Sequence, residues 1–239
     1  MPGDEPKVIG RRTLVPGPKY NFDELTVRNP GRKDATRAVV THPGAVVVVP
    51  VMEDGRLVLI RNFRVAVEDT GAWVLEFCAG TLDIPGEDPI DCAARELIEE
   101  CGYRAKSMTP LLSLTQPIDS KAQKGNPPHG PDKKTAESPA SPSAPPSDPT
   151  AKVASGAGYF YTTPGLTSER MFPFVATGLE YVGQDLEEYE SIEVVTMTPA
   201  QAWKAVEVGE RRSDGRTMLM DAKSIVALTL ATRRGFVRI

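Results

Sequence analysis

Glu96 and Glu100 stand four residues apart in the run GTLDIPGEDPIDCAARELIEECGY, residues 80 to 103. On a helix that spacing projects both carboxylates from one face, a single turn apart, with Glu99 flanking them. Like charges so placed repel and cost an isolated helix a few tenths of a kcal/mol (about 0.2–0.5) per pair. A hard divalent cation would answer the charge, and Mg²⁺ prefers carboxylate oxygens. The plainer alternative is an amphipathic helix with a solvated acidic face.

The helix itself has independent support. Asp88 is a suitable N-cap, Pro89 suits the first helical position, and Gly102 suits the position after the last turn. The spacing puts Ile90, Ala94, Leu97, Ile98 and Cys101 on the side opposite Glu96 and Glu100, giving one core face and one acidic face.

The run resembles the signature of the Nudix hydrolase family through Glu87, Arg95-Glu96-Leu97, Glu99-Glu100 and Gly102. Gly80 lies one residue further from Glu87 than in that pattern, with Pro85 the inserted residue, and Tyr103 stands where the pattern has an aliphatic. Further passages resemble the ADP-ribose and nucleoside-diphosphate-sugar pyrophosphatase branch: residues 57–64, 75–80, 164–169 and 221–225. The resemblance implies a Nudix α/β/α sandwich with a mixed sheet and a small N-terminal β-element. It also implies Mg²⁺-dependent hydrolysis of a nucleotide-sugar pyrophosphate, with Mn²⁺ as a substitute ion, in a homodimer.

Residue roles follow from the same resemblance. Glu96 and Glu100 are metal ligands, Glu99 is a third, and the carbonyl of Ala79 completes the set. Arg95 orients the glutamates, together with Glu87. The general base is a glutamate of the acidic loop before Ile192-Glu193-Val194, Glu190 first and Glu188 second. Arg64 and Arg61 are assigned to the phosphates, and Ser168 and Glu169 to the distal sugar. Glu76 either serves the site or pairs with a nearby cation. For stacking the base, Tyr20, Phe22 and Phe63 stay open. A UDP-sugar is the rival substrate, since Cys78-Ala79-Gly80 and the inserted Pro85 resemble UDP-sugar pyrophosphatases. A non-catalytic module that senses a nucleotide metabolite is the third reading, which the complete glutamate set disfavours.

The chain as a whole narrows the choice. Its 239 residues suffice for one well-buried domain with a small appended sheet. A net charge of −4 gives no nucleic-acid footprint. No apolar run is long enough to cross a membrane, and the N-terminus lacks the apolar stretch of a secretion signal. Cys78, Cys92 and Cys101 form neither a disulfide framework nor a paired metal motif, and are expected as small buried hydrophobes in a reducing cytoplasm. Of 2 histidines, His129 lies in a polar tract and His42 is expected to pack at a strand end, so a multi-histidine zinc centre is excluded.

Strands are expected at residues 8–14, 22–27, 37–42, 45–51, 56–61, 73–78, 108–116, 159–161, 171–177 and 192–197. Further helices should start after Thr198, ending at Gly209, and after Asp221. From Lys121 to Thr150 there is no Val, Ile, Leu, Met or aromatic residue. Such a stretch cannot bury enough apolar surface to offset its ordering entropy. Residues 1–42 therefore read as the N-terminal β-element, and 43–239 as one catalytic domain interrupted by a flexible insertion at about 120–153.

Overall fold

A computed structural model describes residues 5–70, 73–113, 156–186, 188 and 190–239. Three antiparallel strands come first: β1 (Lys7–Val15), β2 (Asn21–Arg28) and β3 (Ala35–Thr41). Then follow β4 (Ala45–Val51), β5 (Leu57–Phe63), a 3₁₀ turn (Val65–Thr70), β6 (Trp73–Glu76), β7 (Ala79–Thr81), α1 (Pro89–Cys101) and β8 (Tyr103–Pro110). The remainder is β9 (Phe160–Tyr161), β10 (Arg170–Tyr181), β11 (Ile192–Met197), α2 (Pro199–Val208), β12 (Glu210–Arg211), β13 (Thr217–Met218) and α3 (Ala222–Arg233).

The central sheet runs β11-β5-β4-β10-β8, with β4 and β10 parallel and the other pairs antiparallel. β4 is buried along its whole length, and its side chains alternate between two cores. Val46 and Val48 join Val58, Ile60, Leu97 and Cys101 beneath α1. Val47 and Val49 join Leu57, Leu59, Ala202 and Leu228 beneath α2 and α3. The result is the expected α/β/α sandwich with a mixed sheet and an N-terminal β-element.

β4 pairs directly with β5 only at Val51↔Leu57. The two strands diverge beyond that point, and the segment between β5 and α1 bridges them. β6 pairs with β5, Ile60 opposite Glu76, and β7 then pairs with β4, Val46 opposite Gly80. The crossover between them is tied down by Val48 N–H donating to Cys78 O at 3.0 Å. Glu76, Ala79 and Gly80 are thereby set at the edge of the splay, facing the end of α1.

The helix caps form as the sequence requires. Asp88 accepts from Ile90 N at 3.1 Å, and Gly102 ends α1 with φ of 76°, a conformation that favours glycine. Thr198 and Gln201 form a reciprocal capping box on α2, and Asp221 accepts from Ser224 N at 3.1 Å to cap α3. α1 is rotated relative to the expected faces. Cys92, Ala93, Leu97 and Cys101 are buried, Ala94 is exposed, and Glu100 lies inside the buried arc at 3% exposure. The reason is β7, which covers the helix edge that carries Glu96 and Glu100. β7 and the β12–β13 hairpin fall outside the expected strands, and β8 begins at Tyr103, immediately after the Gly102 cap, rather than at 108.

All three cysteines are buried and unbridged. The expected insertion lies outside the described residues, as do residues 114–116 of the strand expected at 108–116. Ser113 and Ala157 form an antiparallel bridge, and Gly158 N–H donates to Leu112 O at 2.8 Å, so the chain on either side of the gap belongs to one ladder.

The rotation of α1 is testable. Leu97→Ala should destabilise by about 2–5 kcal/mol, as a buried leucine truncation does, while Ala94→Ser should stay within about 0.5 kcal/mol of the parent. Urea denaturation of the two variants measures both.

Candidate active site

A cleft of about 910 Å³ opens where α1 meets β7, the size of site that takes a small organic ligand. Its acidic wall is built by close approach. A Cβ added to Gly80 would lie 1.8 Å from the carboxyl carbon of Glu96, so only glycine lets that side chain lie over the strand. One turn on, Glu100 accepts from Ala79 N at 2.9 Å. Arg95 spans the outer side of the wall, donating to Glu96 at 2.7 Å, to Glu99 at 2.8 Å and to Glu87 at 3.1 and 3.3 Å.

Burial pushes the Glu96 carboxyl up to about 7, with the neighbouring charges of Glu99 and Glu190 opposing the relief from Arg95. Burial likewise raises Glu100 to about 8, against the hydrogen bond from Ala79 and with Glu96 and Glu76 adding to the rise. The wall is thus short of positive charge even with Arg95 in place. Its donors are carboxylate oxygens grouped beside a strand backbone, the chemistry that hard divalent cations take. As they stand, Glu96 and Glu99 are turned to Arg95 and Glu100 to Ala79 N. Among the described residues no three acidic, histidine or cysteine side chains already converge on a single point. Glu96, Glu99, Glu100 and the backbone at Ala79 are the groups that fit such an ion.

Across the cleft, Glu76 is 1% exposed and takes both Arg64 Nε and Arg64 Nη2 at 2.8 Å, plus Lys223 Nζ at 2.5 Å. Burial alone would raise this carboxyl, but Lys223 and Arg64 reverse the effect and hold it at about 2. Of the two roles left open for Glu76, pairing with a cation describes its contacts.

At the far end, His42 Nδ1 accepts from Gly44 N at 3.1 Å, its Nε2 lies 3.7 Å from Glu169, and its ring stacks on Tyr20. Burial depresses the His42 pKa, and the Glu169 charge only partly offsets this. Glu169 also accepts from Thr162 Oγ1 at 2.6 Å.

Most of the residues singled out from sequence therefore line one cleft: Ala79, Arg95, Glu96, Glu99, Glu100, Arg64, Glu169 and Glu190, with Glu76 behind Arg64. Others do not. Arg61, expected at the phosphates, points to the opposite face of β5, where it pairs with Glu210 and Glu193 in a separate cavity of about 690 Å³ beside α2. Alternation along β5 explains it: Leu57 and Leu59 face α2 and α3, so Arg61 does too, and Asn62 faces the cleft instead. Glu188 is exposed and off the cleft lining. Ser168 is tied to the end of β3, its N–H donating to Val40 O at 3.0 Å and its Oγ accepting from the N–H of the next residue after the strand, His42, at 3.0 Å. Of the aromatic candidates, Tyr20 and Phe63 line the cleft and Phe22 does not.

Lys223, Lys19 and Thr162 line the cleft without having been assigned. Lys223 lies in a passage whose resemblance was noted, but its partner Glu76 is 147 residues away, beyond any local pattern.

An α/β/α sandwich with this helix lying against a glycine-bearing strand has the fold of a solved ADP compounds hydrolase. That crystal structure superposes with a TM-score of 0.61 over 98% of this chain and 97% of its own, at 20% identity, a likeness of fold. Residues 41–137 match the NUDIX domain. An ADP-ribose pyrophosphatase of Bacillus subtilis (strain 168) is 28% identical over 226 residues, 94% of this chain and 91% of that protein. Another from Mycobacterium tuberculosis is 36% identical over 108 residues, 45% of this chain and 51% of that one. The chain thus carries a NUDIX match over residues 41–137 and is similar to an ADP-ribose pyrophosphatase along nearly its whole length.

Glu76 has a consequence for acid stability. Its depressed pKa stabilises the fold fully above the ordinary carboxylate value of 4.5, and that contribution is lost as pH falls toward about 2. Glu76→Gln should destabilise by on the order of 3–5 kcal/mol at neutral pH, because it removes the buried carboxylate that Arg64 and Lys223 share and leaves Lys223 with Asp221 alone. The deficit should shrink toward about pH 3, which denaturant titrations at several pH values would detect.

Proposed function

We propose that the protein is a divalent-metal-dependent pyrophosphohydrolase acting on ADP-ribose, and on related nucleoside diphosphate sugars, to release a nucleoside monophosphate and a sugar phosphate. The observation that carries this reading is one cleft with a buried, charge-deficient carboxylate wall facing an arginine oriented by its own buried carboxylate. The substrate class is supported by the relatives named as ADP-ribose pyrophosphatases.

Mg²⁺, with Mn²⁺ as a substitute, would be held by Glu96, Glu100, Glu99 and the Ala79 carbonyl, and when bound would neutralise the diphosphate and acidify a water. Glu190 lines the same cleft within electrostatic reach of Glu96. In the reaction its carboxylate takes a proton from the water whose oxygen attacks phosphorus, while the P–O bond of the bridge breaks and the electron pair leaves with the departing phosphate. Arg64 offers a guanidinium to the phosphate oxygens, held in orientation by Glu76. Arg95 acts at one remove, fixing Glu87, Glu96 and Glu99. Glu169 and Thr162 offer acceptors and donors for hydroxyls of the distal sugar, and Ser168 braces the turn that presents them.

The Cys78-Ala79-Gly80 passage and the inserted Pro85 favour a UDP-sugar as the second reading. A homodimer is supported by the apolar side chains of the N-terminal sheet left exposed, Val8, Ile9, Leu14 and Val15. The unbridged buried thiols support a reducing, cytoplasmic setting.

With Mg²⁺, a panel of ADP-ribose, UDP-glucose and GDP-mannose should give the highest kcat/KM for ADP-ribose; a clear preference for UDP-glucose would replace this reading with the second. Glu100→Gln should lower kcat by about a hundred-fold or more, since loss of even an outer partner of a metal ligand costs about 10–100-fold. Its metal-free melting temperature should equal or exceed the parent's, because burial already favours the neutral carboxyl at that position.

A further inference from the structure

Arg64 follows the end of β5 and Lys223 sits in the first turn of α3, yet both side chains bond the same carboxylate, Glu76. Placing Lys223 there is opposed twice. The side chain is 14% exposed, and the first turn of a helix disfavours a cation. Burial alone would lower its pKa, but Glu76 and Asp221 more than reverse this and keep it charged. Neutralising Glu76 does not explain the arrangement, because the fork of Arg64 already meets both of its oxygens. A second buried cation instead requires a second acid, Asp221, beside it.

The position is also rigidly set. Leu75 N–H donates to Leu219 O at 3.0 Å, Leu75 bridges Met220, and Phe77 N–H donates to the buried Ser224 hydroxyl at 2.8 Å. The residues on either side of Lys223 are thereby stitched to β6, and its side chain lines the cleft. An ammonium has three N–H donors, two of which go to Glu76 and Asp221. The remaining donor is available to an oxygen of a ligand, alongside Arg64 and across from the carboxylate wall. Two cations fixed on one carboxylate in a single cleft suit two adjacent anionic groups better than one.

We propose that Lys223 is a ligand of the diphosphate, the second cation of a subsite it shares with Arg64, and that Glu76 is the positioning residue for both. This rests on the reading of the substrate as a nucleoside diphosphate sugar.

The test measures kcat and KM for ADP-ribose with Mg²⁺, and calorimetric binding of inorganic pyrophosphate without divalent ions, on the full chain. Lys223→Gln should raise KM and weaken pyrophosphate binding by about ten-fold each, the worth of one charge-assisted hydrogen bond, with a smaller change in kcat. Lys223→Arg should recover most of both losses. Should Lys223→Gln fold poorly, the double variant Asp221→Asn with Lys223→Gln removes the cation together with its second acid, keeps a good N-cap, and leaves the Arg64–Glu76 pair intact. It should show the same ten-fold losses. Parental KM and parental pyrophosphate affinity in either folded variant would overturn the proposal. The two readings fail separately: an inactive parent whose pyrophosphate binding still depends on Lys223 sinks the hydrolase, and an active parent indifferent to Lys223 sinks the subsite.

Discussion

Contact between the last two turns of α1 and the backbone of β7 governs the site. Glu96 lies where a side chain at position 80 would be, and Glu100 is drawn under the strand by Ala79 N–H. Two carboxylates are thereby moved out of water onto one side of a strand, and Arg95 compensates only part of their charge. Burying ionised groups without a partner is among the larger penalties a fold can carry. A bound divalent cation would relieve it, so the burial that makes the wall costly would also favour such an ion there.

The sheet makes this contact available. Because β4 and β5 diverge after a single paired position, the chain between β6 and β7 can cross from one strand to the other. The crossover leaves Glu76 at one side of the gap and Gly80 at the other, two residues of opposite service. Glu76 gathers two cations and Gly80 admits an anion, so one cleft holds both an acidic wall and a pair of fixed cation donors, Arg64 and Lys223. An ion held on the acidic wall and a diphosphate held by those donors would meet between them.

Local chemistry was legible in the sequence, and long-range chemistry was not. Asp88-Pro89 and Gly102 fix α1, and Thr198 with Gln201 fixes the start of α2, because caps act over a few residues. The glutamates of α1 were readable from their spacing. Their burial was not, since apolar periodicity alone assigns Ala94 to the core and Glu100 to solvent, and only the arrival of β7 reverses the two. Arg61 illustrates a different limit. The alternation that sends it away from the cleft is present in the sequence, but which face of β5 meets the acidic helix is a tertiary fact. Lys223 lay furthest out of reach, because its meaning depends on β6 and α3 being hydrogen-bonded across 147 residues.

Anomalous diffraction from a Mn²⁺-soaked crystal holding a non-hydrolysable ADP-ribose analogue tests the central claim most directly. The account predicts a metal peak against the carboxylates of Glu96 and Glu100 and the carbonyl of Ala79, in contact with the diphosphate. Ordered analogue in the cleft with no metal at those carboxylates, or metal bound only elsewhere, would contradict it.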